Sequence, residues 1–283
     1  MNGSEDLKRH LGHDTPKSVG MPRPVVALLS DFGSRDHYAG TMKGVILSIC
    51  PDVALVDISH DIPPHDIQRA ALELGGAYRY FPDGTVFLAV VDPGVGSRRR
   101  ALAARTGRYR FVGPDNGVLS LVLEECPPTQ VVEISERQYT RETVSRTFEG
   151  RDRFAPAAGW LAAGLELGAL GSIVTDYVRC EFPVPLMHTN GVEGAVVRID
   201  RFGNLITNIT RAQLRRTDAH QGVEIHVGGY RVSRLVETYA DIAQDEVCAL
   251  FDSNEYLEIA AFSTSASDRL AVTLGAAVRV DRQ

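Results

Sequence analysis

The stretch Thr85-Val86-Phe87-Leu88-Ala89-Val90-Val91, followed directly by Asp92-Pro93-Gly94-Val95-Gly96, decides the fold class of this 283-residue chain. Six apolar residues in a row after Thr85, closed by a turn signal, read as a strand buried on both faces. A strand wetted on one face would alternate instead. Two runs of the same kind lie upstream, residues 24–30 (PVVALLS) and 53–58 (VALVDI). Helical stretches over residues 38–48 and 66–80 separate the three runs. Strands alternating with helices at this spacing predict an α/β layer built on a mostly parallel sheet. Downstream, residues 109–112 predict a further strand that ends at Gly113-Pro114-Asp115-Asn116-Gly117, with a helix after it. Residues 153–165, Ala-rich and with Pro156 in the first turn, predict the last substantial helix.

After Val184 the texture changes. Short alternating runs at 195–199, 205–209, 223–227 and 256–261 are separated by Gly, Asn and Asp, and no long helical period follows. This pattern predicts an all-β, barrel-like domain. Pro183-Val184-Pro185 reads as the linker, so the expected domains are 24–182 (α/β) and 186–283 (β). Residues 1–23, polar and lacking an apolar signal core, read as a disordered tail.

Composition narrows the function classes. The formal net charge is -6, and the run Arg98-Arg99-Arg100 is too short to make a nucleic-acid face, so no nucleic-acid partner is expected. No segment approaches the roughly twenty apolar residues that cross a bilayer, so no membrane partner is expected. Cys50, Cys126, Cys180 and Cys248 stand far apart, without the spacing of a zinc knuckle or a disulfide framework. They read as free thiols in a reducing compartment, which predicts a cytoplasmic protein.

In open α/β sheets, ligands gather at the carboxyl ends of the strands. Here the predicted strand ends carry Ser30-Asp31, Asp57-Ile58-Ser59-His60-Asp61, Asp92 and Asp115-Asn116. A single such Asp is commonly a cap or a turn former. Four on one rim suggest a site, because clustered carboxylates are costly without a cation to meet them. Pro93 fixes the backbone after Asp92, and the two following glycines permit positive φ or a close ligand approach. The same loop would also serve as a plain tight turn. Arg99, seven residues on, pairs with Asp92 if the glycines fold the loop back, leaving an ionised, oriented carboxylate that can take a proton from water. In Thr147-Phe148-Glu149-Gly150-Arg151-Asp152, Asp152 reads as the cap of the following helix, whereas Glu149 has no such structural explanation and reads either as a site residue or as a solvated loop carboxylate. Asp200-Arg201-Phe202-Gly203-Asn204 reads as a hairpin turn; as a site it offers a carboxylate, an aromatic face and an amide, a set suited to a purine and an ammonium group.

Together these motifs, with Leu29-Ser30-Asp31-Phe32-Gly33 and Tyr256-Leu257-Glu258-Ile259-Ala260, resemble the S-adenosylmethionine-dependent chlorinase/fluorinase family, and within it the S-adenosylmethionine hydroxide adenosyltransferases. The resemblance runs from about Pro24 to Val280, with six motifs in order. It implies an α/β domain followed by a β-barrel, and a homotrimer with active sites between neighbouring subunits. The implied reaction is attack of water or hydroxide on C5′ of the ribose, giving adenosine and L-methionine, with S-adenosyl-L-methionine as substrate and no cofactor. The implied site has Asp31 on the ribose diol, Asp200 on the methionine ammonium, Asn204 reading adenine with Phe202 stacking, and Ser253 on the methionine carboxylate. Phe148 joins the substrate-binding residues. Asp92 and Arg99 match two members of the family's water-activating Asp-Arg-His set. Glu149 stands where the hydrolytic members usually have His, which surrounds Arg99 with two carboxylates. That charge argues against a halide nucleophile, since two unit charges about 4 Å apart repel by roughly 4 kcal/mol at an effective dielectric near 20.

Two other readings follow from the residues. Ser59-His60-Asp61, Asp92 and Asp115-Asn116 supply oxygen and imidazole ligands at strand ends, as a metal-dependent hydrolase requires. Glu149 in place of His also fits a non-catalytic adenosine- or S-adenosylmethionine-binding protein.

Overall fold

The computed structural model describes residues 23–216, 223–232 and 234–282, so all but the last residue of the expected tail lies outside the described residues. The described residues form two compact units, divided between Val178 and Arg179.

In the first unit, β1 (Val25–Ser30) lies between β2 (Ala54–Ser59) and β3 (Val86–Val90), and all three run parallel. The crossovers carry α1 (Tyr38–Ile49) and α2 (Ile67–Ala77). Asp66 caps α2 by accepting the Arg69 amide at 2.9 Å. Beyond β3 comes β5 (Arg110–Pro114), also parallel, then β4 (Ala101–Arg105) and β6 (Gln130–Glu133). The order is β2-β1-β3-β5-β4-β6, and β4 runs antiparallel to both its neighbours. Sequence reading anticipated neither β4 nor β6.

The sheet is covered on both faces. Val26 and Leu28 of β1, with Val86, Leu88 and Val90 of β3, face a core closed by α1 and by α4 (Ala155–Ala162). Ala27, Leu29, Phe87 and Ala89 face the opposite core, closed by α2 and by α3 (Ser120–Glu125). Burial on both faces explains the unbroken apolar runs of β1 and β3, because their side chains alternate between two dry cores; β2, at the sheet edge, is half-buried, with Val56 exposed.

Before α4 the chain makes one wide turn, a π-helical segment over Gly150–Phe154. Asp152 lies inside it and does not cap α4, which corrects the sequence expectation. Its carboxylate is fully buried and accepts from the Ser145 amide at 2.8 Å and from Nε and Nη2 of Arg151 at 2.6 and 2.8 Å. It therefore staples the preceding loop to the turn.

The second unit is a curled antiparallel sheet of β7 (Leu186–His188), β8 (Gly191–Ile199), β9 (Leu205–Thr210), β10 (Val223–Val227), β11 (Tyr230–Val232), β12 (Val247–Phe251), β13 (Tyr256–Ala261) and β14 (Ala277–Arg282). Its path is β11-β10-β14-β8-β9-β13-β12, with β7 beside β8. The two ends of the path touch, so the sheet nearly closes into a barrel around Val192, Leu205, Ile225, Leu257 and Val278. Closure of this kind removes most of the exposed edge. Two short helices, α5 (Arg211–Arg216) and α6 (Ala266–Leu270), decorate it. Among the described residues no helix is long and apolar enough to cross a membrane.

Candidate active site

At the carboxyl ends of β1 and β3 the first unit holds a cavity of about 330 Å³. Asp31, Phe32, Tyr38, Asp92, Phe148 and Glu149 are among its walls.

The 92–99 loop folds back on itself in successive turns, with the Val95 amide donating to the Asp92 carbonyl and the Ser97 amide to that of Gly94. Gly96 adopts φ +77°, and a Cβ there would lie 2.4 Å from the Arg146 carbonyl oxygen. Arg146 in turn donates Nη2 to the Gly96 carbonyl at 2.9 Å. The loop is thereby pressed against the segment that carries Glu149, and this contact accounts for a glycine at 96.

The fold-back delivers Arg99 to Asp92. Arg99 Nε donates to Asp92 Oδ1 at 2.8 Å, and Nη2 donates to Oδ2, completing a two-pronged fork. The same Nη2 donates to Glu149 Oε2 at 2.6 Å. The guanidinium also lies over the Phe154 ring, 5.1 Å from its centroid. These three side chains are nearly dry, with exposures of 9% for Arg99, 6% for Asp92 and 10% for Glu149. Burial alone would lower the Arg99 pKa. The Asp92 hydrogen bonds, and then the charges of Asp92 and Glu149, outweigh burial and raise it above its ordinary value. A cation fixed at the centre is the counter-charge that makes two adjacent buried carboxylates tolerable.

Asp31, directly after β1, is held by its own surroundings. Its Oδ2 accepts the His65 amide at 2.9 Å, and the Gly33 amide donates to the His60 carbonyl at 2.7 Å. Behind it runs a chain of polar contacts. Ser30 Oγ meets His60 Nδ1 at 2.7 Å, His60 Nε2 meets Asp57 Oδ1 at 3.1 Å, and Lys43 Nζ donates to Asp57 Oδ2 at 2.6 Å. His65 adopts φ +69°, unfavourable for a non-glycine residue, where its amide reaches Asp31. Phe32, Tyr38 and Phe148 pack edge-on or tilted against one another, with centroids 5.0 to 5.8 Å apart, and form the apolar wall.

Of the four polar strand ends, only those after β1 and β3 put a carboxylate on the cavity, which corrects the expectation of one continuous acidic rim. Asp115 is buried and committed to Arg100 Nε at 2.7 Å and to the Val178 amide at 2.7 Å. Asn116 anchors the backbone before the site by donating Nδ2 to the Val91 carbonyl at 2.8 Å. The ligand set suggested for a metal does not converge. His60 is engaged with Ser30 and Asp57, Asp92 with Arg99, and among the described residues no three acidic, His or Cys side chains are placed to hold a metal ion.

The remaining candidates lie in the second unit. Asp200, Phe202 and Asn204 share the turn between β8 and β9, where Asp200 Oδ1 accepts the Phe202 and Asn204 amides at 2.8 and 2.9 Å. Phe202 is exposed, and Asn204 is buried with its Nδ2 3.3 Å from Asp200 Oδ2. Ser253 sits exposed at the β12–β13 turn, which Asp252 shapes by accepting the Asn254 and Tyr256 amides. Sequence reasoning missed Tyr38, His65 and Arg153 as neighbours of the site. Pro63-Pro64 before His65 was the available turn signal; nothing local marked the other two.

Residues 26–171 match the SAM hydroxide adenosyltransferase N-terminal domain family, and residues 194–279 match the corresponding C-terminal domain family. A protein of Thermus thermophilus named (R)-S-adenosyl-L-methionine hydrolase is 40% identical over 265 residues, covering 91% of this chain and 99% of its own. A fluorinase of Actinoplanes sp. is 31% identical, covering 84% of this chain and 90% of its own. The crystal structure of an uncharacterized conserved protein from Thermotoga maritima superposes with a TM-score of 0.87 at 35% identity, covering 91% of this chain and 100% of its own. Two domain matches in order and full-length relatives at this identity leave one conclusion: the chain belongs to the SAM hydroxide adenosyltransferase family.

Proposed function

We propose that the chain hydrolyses S-adenosyl-L-methionine to adenosine and L-methionine, by attack of water or hydroxide at C5′ of the ribose. One observation carries this reading: two nearly buried carboxylates grip one guanidinium at the wall of a cavity whose other walls include Asp31 and three aromatic rings. The sulfonium leaves as a neutral thioether, so the departing group needs no acid. The protein has chiefly to place and activate water in line with the C5′–S bond. Asp92, Arg99 and Glu149 do this, Asp31 accepts from the ribose diol, and Phe148 packs against the substrate. In the second unit Asp200 takes the ammonium group, Asn204 reads adenine with Phe202 stacking, and Ser253 meets the methionine carboxylate.

The carboxylates favour this reaction over halide transfer. A halide needs a neutral or positive pocket, and roughly 4 kcal/mol of repulsion from one nearby charge weakens its binding by about a thousandfold. The same reading includes a homotrimer with active sites at subunit interfaces, a cytoplasmic location in keeping with four free thiols, and no cofactor. The test is incubation of the purified protein with S-adenosyl-L-methionine over pH 6 to 10, with adenosine followed by chromatography. Adenosine above the spontaneous background, unaffected by a chelator, supports the proposal. Tight binding without turnover overturns it in favour of a binding protein.

A further inference from the structure

Asp92 and Glu149 are not equivalent in their hydrogen bonding. Both oxygens of Asp92 are engaged in the Arg99 fork, Oδ1 by Nε and Oδ2 by Nη2. Glu149 engages one oxygen only, Oε2, with Nη2. Its Oε1 has Arg153 Nη2 as cationic neighbour at 3.8 Å, beyond hydrogen-bond range. Of the four carboxylate oxygens around Arg99, Oε1 is therefore the one that no guanidinium N–H occupies. Glu149 also lines the cavity, whereas Arg99 lies behind the carboxylates against Phe154.

We propose that Glu149 Oε1 is the atom that takes the proton from the attacking water, and that the Asp92–Arg99 fork acts as a positioning device that holds Glu149 Oε2. This inference rests on the hydrolase reading above and divides the labour within it. In the step, one water O–H bond breaks and its proton passes to Glu149 Oε1. The oxygen bonds to C5′, the C5′–S bond breaks, and its electron pair stays on sulfur as the neutral thioether of methionine. Glu149 then releases its proton to solvent, so the sulfonium cation and water become adenosine, methionine and a proton. The arrangement suits this cycle because a carboxylate fixed by one oxygen keeps its orientation while the other changes protonation. The charged or titratable groups around Glu149 are Arg99, Asp92 across that guanidinium and Arg153 from its own turn, while Asp31, Asp92, His65 and Tyr38 share the cavity.

The experiment measures adenosine release by the full chain against pH, with kcat and KM separated, for the wild type, Glu149→Gln, Glu149→His and Asp92→Asn. Glu149→Gln keeps an acceptor for Arg99 but cannot hold the proton. It is expected to lose about a hundredfold or more in kcat, with KM within about threefold. Glu149→His is expected to recover turnover with the acid limb of the kcat profile moved up toward about pH 6.5, where imidazole ordinarily titrates. Asp92→Asn is expected to lower kcat while leaving the acid limb at the wild-type pH. Retention of more than a tenth of kcat in Glu149→Gln overturns the inference, as does an acid limb that moves with Asp92→Asn and not with Glu149→His. Should Glu149→Gln not fold, the position of the limb in Glu149→His decides alone. A wild type that forms no adenosine overturns the hydrolase reading itself, and this inference with it.

Discussion

Replacing Arg99 by Met tests the electrostatic core of the site through stability. Asp92 Oδ2 and Glu149 Oε2 both accept from the same Nη2. The spread of its two N–H bonds sets two such acceptors roughly 4 Å apart. Without the guanidinium, two unit charges at that separation repel by roughly 4 kcal/mol at an effective dielectric of about 20. The alternative is to protonate one of them. At pH 7, about three units above an ordinary carboxyl, that costs roughly 4 kcal/mol at about 1.4 kcal/mol per unit. The two routes cap the penalty at similar values. Met retains an unbranched stem to pack on Phe154, so we expect Arg99→Met to lose about 2–4 kcal/mol at neutral pH.

The pH dependence follows from the same pair. In the variant one folded-state carboxyl holds its proton at a higher pH than in the unfolded chain. The folded state then binds more protons, and stability rises as pH falls through that range. The gap between variant and wild type should therefore be full near pH 7.5 and shrink toward pH 5. The single tryptophan, Trp160, lies in α4, so its fluorescence in denaturant reports the first unit directly. Adding Glu149→Gln to Arg99→Met removes one charge and should recover at least half of the loss. A loss under about 1 kcal/mol, a gap independent of pH, or no recovery in the double variant would refute the reasoning.

Two further outcomes are expected. Gly96→Ala places a Cβ 2.4 Å from the Arg146 carbonyl at φ +77°, so the 92–99 loop must move; turnover should fall at least tenfold, whereas Gly94→Ala, whose nearest contact is Arg99 Cγ at 3.4 Å, should lose far less. Asp152 is driven up by burial, but the hydrogen bonds from Arg151 and the Ser145 amide, with the Arg151 and Arg141 charges, outweigh it and hold its pKa below the ordinary value. Its stabilisation is thus present above about pH 4 and lost as pH falls through the lowered value, so Asp152→Asn should cost about 1–3 kcal/mol at neutral pH and progressively less on acidification in the same fluorescence assay.

The sequence displayed the parallel half of the first sheet because strands dry on both faces are written as unbroken apolar runs, as in residues 25–30 and 86–90. The antiparallel half was hidden. β4 is Ala-Leu-Ala-Ala-Arg, weak in strand preference, and β6 has only four residues, so both owe their form to the neighbours they pair with. At the site, the fold-back of Arg99 onto Asp92 was legible from Pro and Gly spacing; Glu149 read equally well as a solvated loop carboxylate until the fold buried it against Arg99. The roles of Asp57, Asp115 and Asp152 were not legible, because each is settled by a donor from another segment: Lys43 for Asp57, Arg100 for Asp115, and Arg141 with the Ser145 amide for Asp152, beside its neighbour Arg151. A carboxylate in a loop looks the same before and after such a partner is assigned.

The reversal of β4 has a consequence for how this chemistry can vary. β5 runs with β3 and β4 runs against β5, with Ala101 opposite Pro114 at the rim where β3 ends. Asp92 at the exit of one strand and Arg99 at the approach to another are thus moored on the same shore by two hydrogen-bonded ladders. The six residues between them form a bridge whose piers stand independently of its span. Changes within 93–98 that respect the Gly96 contact can reshape what overhangs the cavity and leave the fork standing. A one-residue slip of β4 on β5 would turn its side chains to the opposite face and draw Arg99 off Asp92 without altering a single residue of the site.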